Sequence, residues 1–294
     1  EDRRQRQMCI RDSTNFLSYK GSKSKFRYLT YFNFKQGDGF RGNSFFNSKN
    51  FFLKTIYDFD STKKLSLDLT YFTYLAQQAG GLNDFMFETD PFQSNRSRNW
   101  FNVDWYLYNL KYEHEITSSN IFTISLFGLN AVRNALGFRV NRVDQIDSFG
   151  PRDLIHGEFN NVGAEMKYLN NYNLFGNESI FVVGTKLYFS NNFSRQGPGS
   201  DFSNADFNFY DSEFPNYVNQ SDYNYPNENI SVFAENIIKP IENLSITPGL
   251  RLEYIDTNAD GSYERILQDA ALNVIQHDTI LSLIHISEPT RHER

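Results

Sequence analysis

The chain has 294 residues, a net charge of −6 and one cysteine, so it fits neither a basic duplex nucleic-acid binder nor a disulfide or cysteine–zinc scaffold. Aromatic residues make up 17% of the chain although only 39% of residues are hydrophobic, so the aromatic excess is not part of a general apolar excess. No apolar run reaches the roughly 20 residues of a transmembrane helix, which rules out that kind of span.

The two ends differ in composition from the interior. Residues 1–13 and 282–294 are rich in arginine and poor in aromatics, and the first of them holds Cys9. Their segments MCIRDS and LIHISEPTR resemble peptides that arise when sequencing-adaptor DNA is translated; a basic tail or an expression scar is the alternative. We therefore expect both ends to be non-native tails. Residues 14–281 are interpreted as one partial domain, an internal fragment of a longer protein.

Apolar and polar side chains alternate from about residue 25 to residue 254, which is the period of a β-strand. Leu65, Leu67 and Leu69, for example, alternate with Ser66 and Asp68. Strands of this kind have one apolar and one polar face. In chain order, the predicted strands are 25–35, 48–59, 64–75, 99–115, 120–132, 158–173, 179–191, 227–239 and 244–256.

Short and long connections follow each other in strict alternation. Tight turns are predicted near residues 60–63, 117–120, 176–178 and 240–243, and long segments at 36–47, 76–98, 133–157 and 192–226. This alternation is typical of outer-membrane barrels, and because lipid requires every backbone amide to be paired, the sheet must close. The predicted fold class is all-β, an antiparallel transmembrane β-barrel with aromatic girdles. A soluble β-sandwich would explain the alternation but not the long strands and loops.

Arginines concentrate on the side of the long segments. In a net-acidic chain this placement is consistent with a vestibule that attracts anions. The alternative is that these arginines pair with loop carboxylates such as Asp90, Asp144, Asp147 and Asp153, in surface pairs of little energetic value. The arginines in or beside the long segments are Arg96, Arg98, Arg133, Arg139, Arg142, Arg152 and Arg195.

The sequence contains no pattern typical of a metal site or a catalytic centre. His114 and His156 lack a spaced partner for a metal site, and no Ser-His-Asp or Cys-His arrangement can be identified. The acidic residues of segment 192–226 lack the spacing of an EF-hand and are interpreted as a solvated loop. We therefore predict no enzyme, no catalytic residue, no resident metal and no cofactor.

The interior resembles the TonB-dependent outer-membrane receptors, and within them the ferric dicitrate transporter group. The most specific mark is the pair formed by residues 231–236 and 244–254, which contains Thr247-Pro248-Gly249 followed by Arg251 and Glu253. The resemblance covers about residues 25–260. The other segments that carry it are 79–82, 90–101, 133–139 and 150–154.

Membership of this family would imply a 22-stranded barrel in the bacterial outer membrane, filled by a plug domain. Such receptors import a ferric chelate, here ferric citrate or a similar anion, with energy supplied through the TonB complex. The plug, the TonB box and the later strands are expected outside this fragment, and no nucleic-acid partner is expected. Pro91 departs from the family, because the dicitrate receptors tend to have a basic residue there.

The resemblance also implies which residues bind the ligand. Carboxylates of a ferric chelate are well matched by the planar guanidinium group. Arg96 lies in the family's Gln-Ser-x-Arg stretch, Arg133 opens the next long segment and Arg152 follows a proline. The full set of predicted ligand-binding residues is Arg96, Arg133, Arg152, Arg98, Arg139 and Gln93.

Two alternative functions remain open at this point. The same class of receptor could serve another siderophore or an oligosaccharide, which Phe92, Tyr210, Tyr217 or Tyr223 could stack against. A passive porin or adhesin barrel without a plug is the second alternative.

Replacing Arg96, Arg133 and Arg152 together by alanine in the full-length parent protein is expected to abolish ferric citrate uptake, because three cationic contacts would be lost. Uptake of radiolabelled iron as ferric citrate measures this. Unchanged uptake would remove the assignment of these residues to the site.

Overall fold

The computed structural model describes residues 12–140, 142–241, 243–269, 271 and 273–289, which form one antiparallel sheet and one short helix. Helix α1, Asp84–Thr89, lies between the fourth and fifth strands. The strands are β1 Ser13–Lys23, β2 Phe26–Gly37, β3 Phe46–Asp58, β4 Lys63–Gln77, β5 Trp100–Thr117, β6 Asn120–Gly137, β7 Asp153–Leu174, β8 Asn177–Pro198, β9 Ser221–Ile241, β10 Leu244–Ile246, β11 Gly249–Gln268 and β12 Val274–Pro289.

The sheet is a continuous meander in which each strand pairs with its neighbours in sequence. The order runs from β1 to β9 and then through β11 to β12, while the short β10 pairs only with β9. Strands β7 and β8 are 22 residues each and are joined by Phe175 and Gly176, both at positive φ. Among the described residues the outer edges of β1 and β12 have no partner strand, so the sheet is open. The predicted antiparallel all-β class is confirmed.

All nine predicted strands are present, and most are longer than predicted. β6 and β7 continue into the predicted loop 133–157 because their backbones keep pairing as far as Gly137 and Asp153. The predicted strand 244–256 is divided, since Pro248 has no N–H to continue a ladder.

Two strands, β1 and β12, were not predicted from the alternation. β12 crosses the predicted domain boundary at residue 282. Strand pairing does not distinguish native from added sequence, so the predicted tails stay predictions.

One face of the sheet bears a wide apolar band. Residues that pair across an antiparallel ladder lie on the same face, so the register shows that the apolar positions of successive strands form one surface. In a transmembrane barrel this face is the outer, lipid-facing one. The band includes Leu65, Leu67, Leu69, Leu110, Leu126, Val162, Ala164, Leu187, Ile230, Val232, Leu250 and Leu252.

The opposite face is polar and carries cross-strand ion pairs. Lys54 lies 2.9 Å from Asp68, and Lys167 lies 2.6 Å from Glu165. None of these side chains is buried, so each pair contributes little to stability. This face is the one that a barrel directs toward its lumen.

The outer face changes from apolar to polar toward the long loops. Tyr71 and Tyr106 stack with their ring centroids 4.5 Å apart. In the same cross-strand row, and on the loop side of the apolar residues Leu126 and Ala164, the Nδ2 of Asn130 donates to Oδ1 of Asn160 at 2.8 Å. Strand alternation sends Trp105, the sequence neighbour of Tyr106, to the inner face. Only part of the aromatic excess therefore forms an outer girdle, and the strands continue past the apolar band on the long-loop side.

None of the helices formed by the described residues is long and apolar enough to cross a bilayer.

Replacing Gly163 by alanine is expected to destabilise the sheet by about 1–3 kcal/mol, the usual cost of overpacking. A Cβ there would lie 2.5 Å from the Phe127 ring and 2.8 Å from the carbonyl oxygen of Leu187. Gly249→Ala is the matched control, because the nearest atom, the carbonyl oxygen of Ala234, is at an ordinary 3.5 Å. Thermal unfolding of the two reconstituted variants compares them, and equal midpoints would contradict the packing described.

Candidate functional site

Three long loops meet at one end of the sheet. Loop A comprises residues 78–99, loop B residues 138–152 and loop C residues 199–220. They are joined by two arginines, Arg98 and Arg152, whose exposed fractions are 1% and 0%.

Arg98 links loop A to the other two loops. Its Nε and Nη2 donate to the two carboxylate oxygens of Asp147 at 2.9 and 2.6 Å. Its Nη1 donates to the carbonyls of Gly150 at 3.2 Å and Asp201 at 2.7 Å, and the guanidinium lies 5.0 Å from the centre of the Phe149 ring. Every face of this guanidinium is therefore occupied by protein groups.

Arg152 links loop B to loop C in the same way. Its Nε donates to the carbonyl of Ser200 at 2.9 Å and its Nη2 to the hydroxyl of the same residue at 2.6 Å. Its Nη1 donates to the carbonyls of Arg98 and Asn204 at 3.1 and 2.8 Å. Burial, followed by the charge of Arg98, lowers the pKa of Arg152 to about 10, so the side chain is still protonated at neutral pH.

Asp147 is the carboxylate that balances this cluster. Burial would raise its pKa, but the Arg98 hydrogen bonds, the backbone N–H of Phe149 and the nearby arginine charges outweigh burial and lower it. Asp147 is therefore ionised at neutral pH and completes a buried ion pair with Arg98.

Arg96 and Gln93 also bind loop backbone. The Arg96 guanidinium donates to the carbonyls of Asn95 at 2.7 Å and Gln145 at 3.2 Å, and it lies 5.2 Å from the Phe138 ring centre. Gln93 donates from Nε2 to the carbonyl of Met86 at 2.5 Å. Both side chains hold loop A in shape.

Arg133 and Arg139 differ from the other four, because both are exposed on one pocket. The pocket has a volume of about 360 Å³ and lies on the inner face beneath loops A and B. The Arg133 guanidinium lies 5.6 Å from the centre of the Phe159 ring, and among the described residues it has no carboxylate partner. Arg139 lies 3.7 Å from Asp153, and 44% of its side chain is exposed. The other lining residues are Gln78, Asn99, Phe101, Ala135, Leu136 and Ile155.

The structure thus divides the six predicted ligand-binding residues into two groups. Arg96, Arg98, Arg152 and Gln93 hold loops together, whereas Arg133 and Arg139 line a pocket. Direct ligand contact by any of the six stays a prediction. Sequence reasoning missed Gln78 and Asn99 in the pocket, and no local pattern in the chain marks either of them.

No protein-family profile matches the chain, and no curated protein sequence matches it significantly. Solved structures do match. The ferric citrate transporter FecA in its unliganded form has 18% identity over 93% of this chain, with a TM-score of 0.65. The ferric-catecholate import receptor Fiu from E. coli K12 in its closed form has 7% identity over 94%, with a TM-score of 0.66.

The siderophore receptor PiuA from Acinetobacter baumannii gives a similar match, with 9% identity over 93% of this chain and a TM-score of 0.66. This chain spans only 38%, 45% and 44% of the FecA, Fiu and PiuA chains. At these identities the likeness shows the fold: the sheet is part of the wall of an outer-membrane β-barrel.

Replacing Asp147 by alanine is expected to loosen loops A, B and C together. Removing one partner of a buried ion pair costs about 3–5 kcal/mol because the other charge stays buried. Hydrogen exchange of segments 142–150 and 199–204 in the reconstituted protein measures the loosening. In the unchanged protein the contribution of Asp147 should be complete above the ordinary aspartate pKa of about 3.9 and disappear as pH falls through its lowered pKa.

Asp144→Ala is the matched control for this prediction. Asp144 lies in the same loop and pairs with Arg142 at 2.6 Å, but both side chains are exposed. Exposed pairs contribute little to stability, so exchange should change little. Similar exchange in both variants would contradict the structural role assigned to Asp147.

Proposed function

We propose that this chain is part of a TonB-dependent receptor of the bacterial outer membrane that binds and imports a ferric chelate, with ferric citrate as the ligand. The fold shared with ferric citrate, catecholate and siderophore receptors supports the class. The plug domain and the contact with TonB belong to the proposal and lie outside this chain.

The observation that carries the proposal is the exposed guanidinium of Arg133, which has no carboxylate partner among the described residues. Ferric citrate is anionic and presents carboxylates, which a guanidinium binds with two parallel hydrogen bonds. Within the described ranges, Arg133 is supported by Phe159 without a competing carboxylate, and Arg139 has one ion-pair contact, a long one with Asp153. In a chain whose net charge is −6, two available cations on one pocket create a local positive potential.

The buried arginines have an indirect part in this proposal. Arg98 and Arg152 fix the loops that form the mouth of the barrel, and Arg96 holds loop A against loop B. Their charges are enclosed by protein groups, so a ligand would have to break several hydrogen bonds to reach them. We therefore assign direct carboxylate binding to Arg133 and Arg139.

The contacts of the loop aromatics favour a chelate over an oligosaccharide. The hydroxyl of Tyr210 donates to Asp206 at 2.6 Å, and that of Tyr217 donates to Asp153 at 3.2 Å. The first bond holds Tyr210 within loop C, and the second ties Tyr217 to the first residue of β7. Phe92 is half exposed but packs edge-on against Phe40, so these rings do not form a shared platform for a sugar.

Replacing Arg133 by alanine in the full-length parent is expected to weaken ferric citrate binding by about tenfold to a hundredfold. A hydrogen bond to a charged group contributes about 1.5–3 kcal/mol, and each 1.4 kcal/mol is about tenfold in affinity. Titration of the purified receptor with ferric citrate measures the dissociation constant, and iron uptake by cells measures transport.

Arg142→Ala is the control, because Arg142 is an exposed arginine in loop B that pairs with Asp144 and does not line the pocket. The affinity of the Arg142→Ala variant for ferric citrate should be unchanged. An Arg133→Ala protein that folds and still binds ferric citrate with parental affinity would contradict the assignment of Arg133 to the site. Uptake that persists in cells lacking TonB would favour the passive barrel.

A further inference from the structure

Asp153 places a buried carboxylate in the wall beside the pocket. The residue is 5% exposed, although it stands at the first position of β7. The Gln196 amide on β8 donates to both of its oxygens at 2.9 and 3.0 Å, and the Tyr217 hydroxyl of loop C donates at 3.2 Å. Both of these partners are neutral, so among the described residues Arg139 is the cation closest to the Asp153 carboxylate.

Arg139 is poorly held by Asp153. The Nε of Arg139 lies 3.7 Å from the carboxylate, which is too long for a hydrogen bond. The same side chain is 44% exposed and lines the pocket. An anion in the pocket therefore competes with Asp153 for one guanidinium, and the ligand can offer shorter, bidentate contacts.

Loss of this cation would change the protonation of Asp153. Burial raises the pKa of Asp153, and the Gln196 hydrogen bonds, the Arg139 charge and the Tyr217 hydrogen bond only partly oppose burial. Burial and the neighbouring carboxylate raise the pKa of Tyr217, so Tyr217 keeps its proton and stays a donor. Without Arg139, the donors that the described residues offer to this buried carboxylate are neutral, and its charged form is disfavoured further.

In the part of the chain that the structure describes, the other titratable groups near Asp153 have partners of their own. Arg152, its sequence neighbour, is bound to Ser200. His156 lies on the other face of the sheet, where its Nδ1 is 2.7 Å from the Asn134 amide oxygen. Neither group is placed to replace Arg139.

We propose that Asp153 is a positioning residue that makes anion capture proton-linked: the ligand draws Arg139 into the pocket, and the Asp153 carboxylate takes up a proton from solvent. This inference rests on the proposed function, because it requires an anion to bind at Arg139. Ligand affinity at this site should therefore be higher in mild acid.

The raised pKa of Asp153 determines in which direction ligand affinity changes with pH. The pKa of Asp153 in the free protein already lies above the ordinary aspartate value of about 3.9, and it rises again when the ligand binds. Between these two pKa values the complex holds more protons than the free protein. Affinity should therefore increase by up to about tenfold for each unit by which pH falls within that interval, and level off outside it.

Calorimetric titration of the full-length parent with ferric citrate, in buffers of different ionisation enthalpy and at several acidic pH values, counts the protons taken up. We expect a fraction of a proton, approaching one per ligand, in the unchanged protein. Asp153→Asn should bind with no uptake. Tyr217→Phe, which removes one stabilising donor, should move the interval to higher pH and also serves if Asp153→Asn does not fold.

Asp144→Asn is the control, because this exposed carboxylate of loop B lies outside the pocket and should leave the proton count unchanged. Ligand binding without proton uptake in the unchanged protein, or equal uptake in Asp153→Asn, would overturn the inference while leaving the proposed function intact. Absence of ferric citrate binding altogether would overturn both.

Discussion

The backbone ladder is the constraint on which the rest of this structure depends. Inside lipid no water is present to pair a free N–H or C=O, so each strand must be paired along its whole membrane-crossing length. The 22-residue strands β7 and β8 are paired from Asp153–Pro198 to Leu174–Asn177, well beyond the apolar band. The excess length forms an extra-membrane wall, and this wall is what gives the long loops a rigid base.

Most of each loop lies beyond that ladder, and arginine side chains link the loops to one another. A guanidinium offers five donors in fixed directions, which suits a crossing where several carbonyls of different loops converge. Arg98 and Arg152 fill this role, with Asp147 as the counter-charge. The cost of burying such groups is offset only when every donor is paired, so the cluster fixes one arrangement of three loops rather than many.

The sheet could be predicted from the sequence because its determinants are local. The alternation around Leu65 and the turn chemistry of Asp60, whose carboxylate accepts from Thr62 and Lys63, are readable within a few residues. The role of each arginine is not local. Arg98 meets Asp147 across 49 residues, and Tyr217 meets Asp153 across 64. Composition therefore located the arginine-rich end but did not separate buried arginines from available ones.

The difference between buried and exposed arginines determines which of the positive charges at this end of the sheet can attract a ligand. A guanidinium enclosed by carbonyls and a carboxylate has little potential left for a ligand, whereas one supported by an aromatic face keeps its donors free. Arg133 is supported by an aromatic face, whereas Arg152 is enclosed by protein oxygens. The sequence alone made both residues equal candidates for ligand binding. Arg139 is intermediate, because the counter-charge that the described residues provide is a distant, buried carboxylate, that of Asp153. A cation held that loosely can exchange partners, and the exchange couples the pocket to the protonation of Asp153 and, through Tyr217, to loop C.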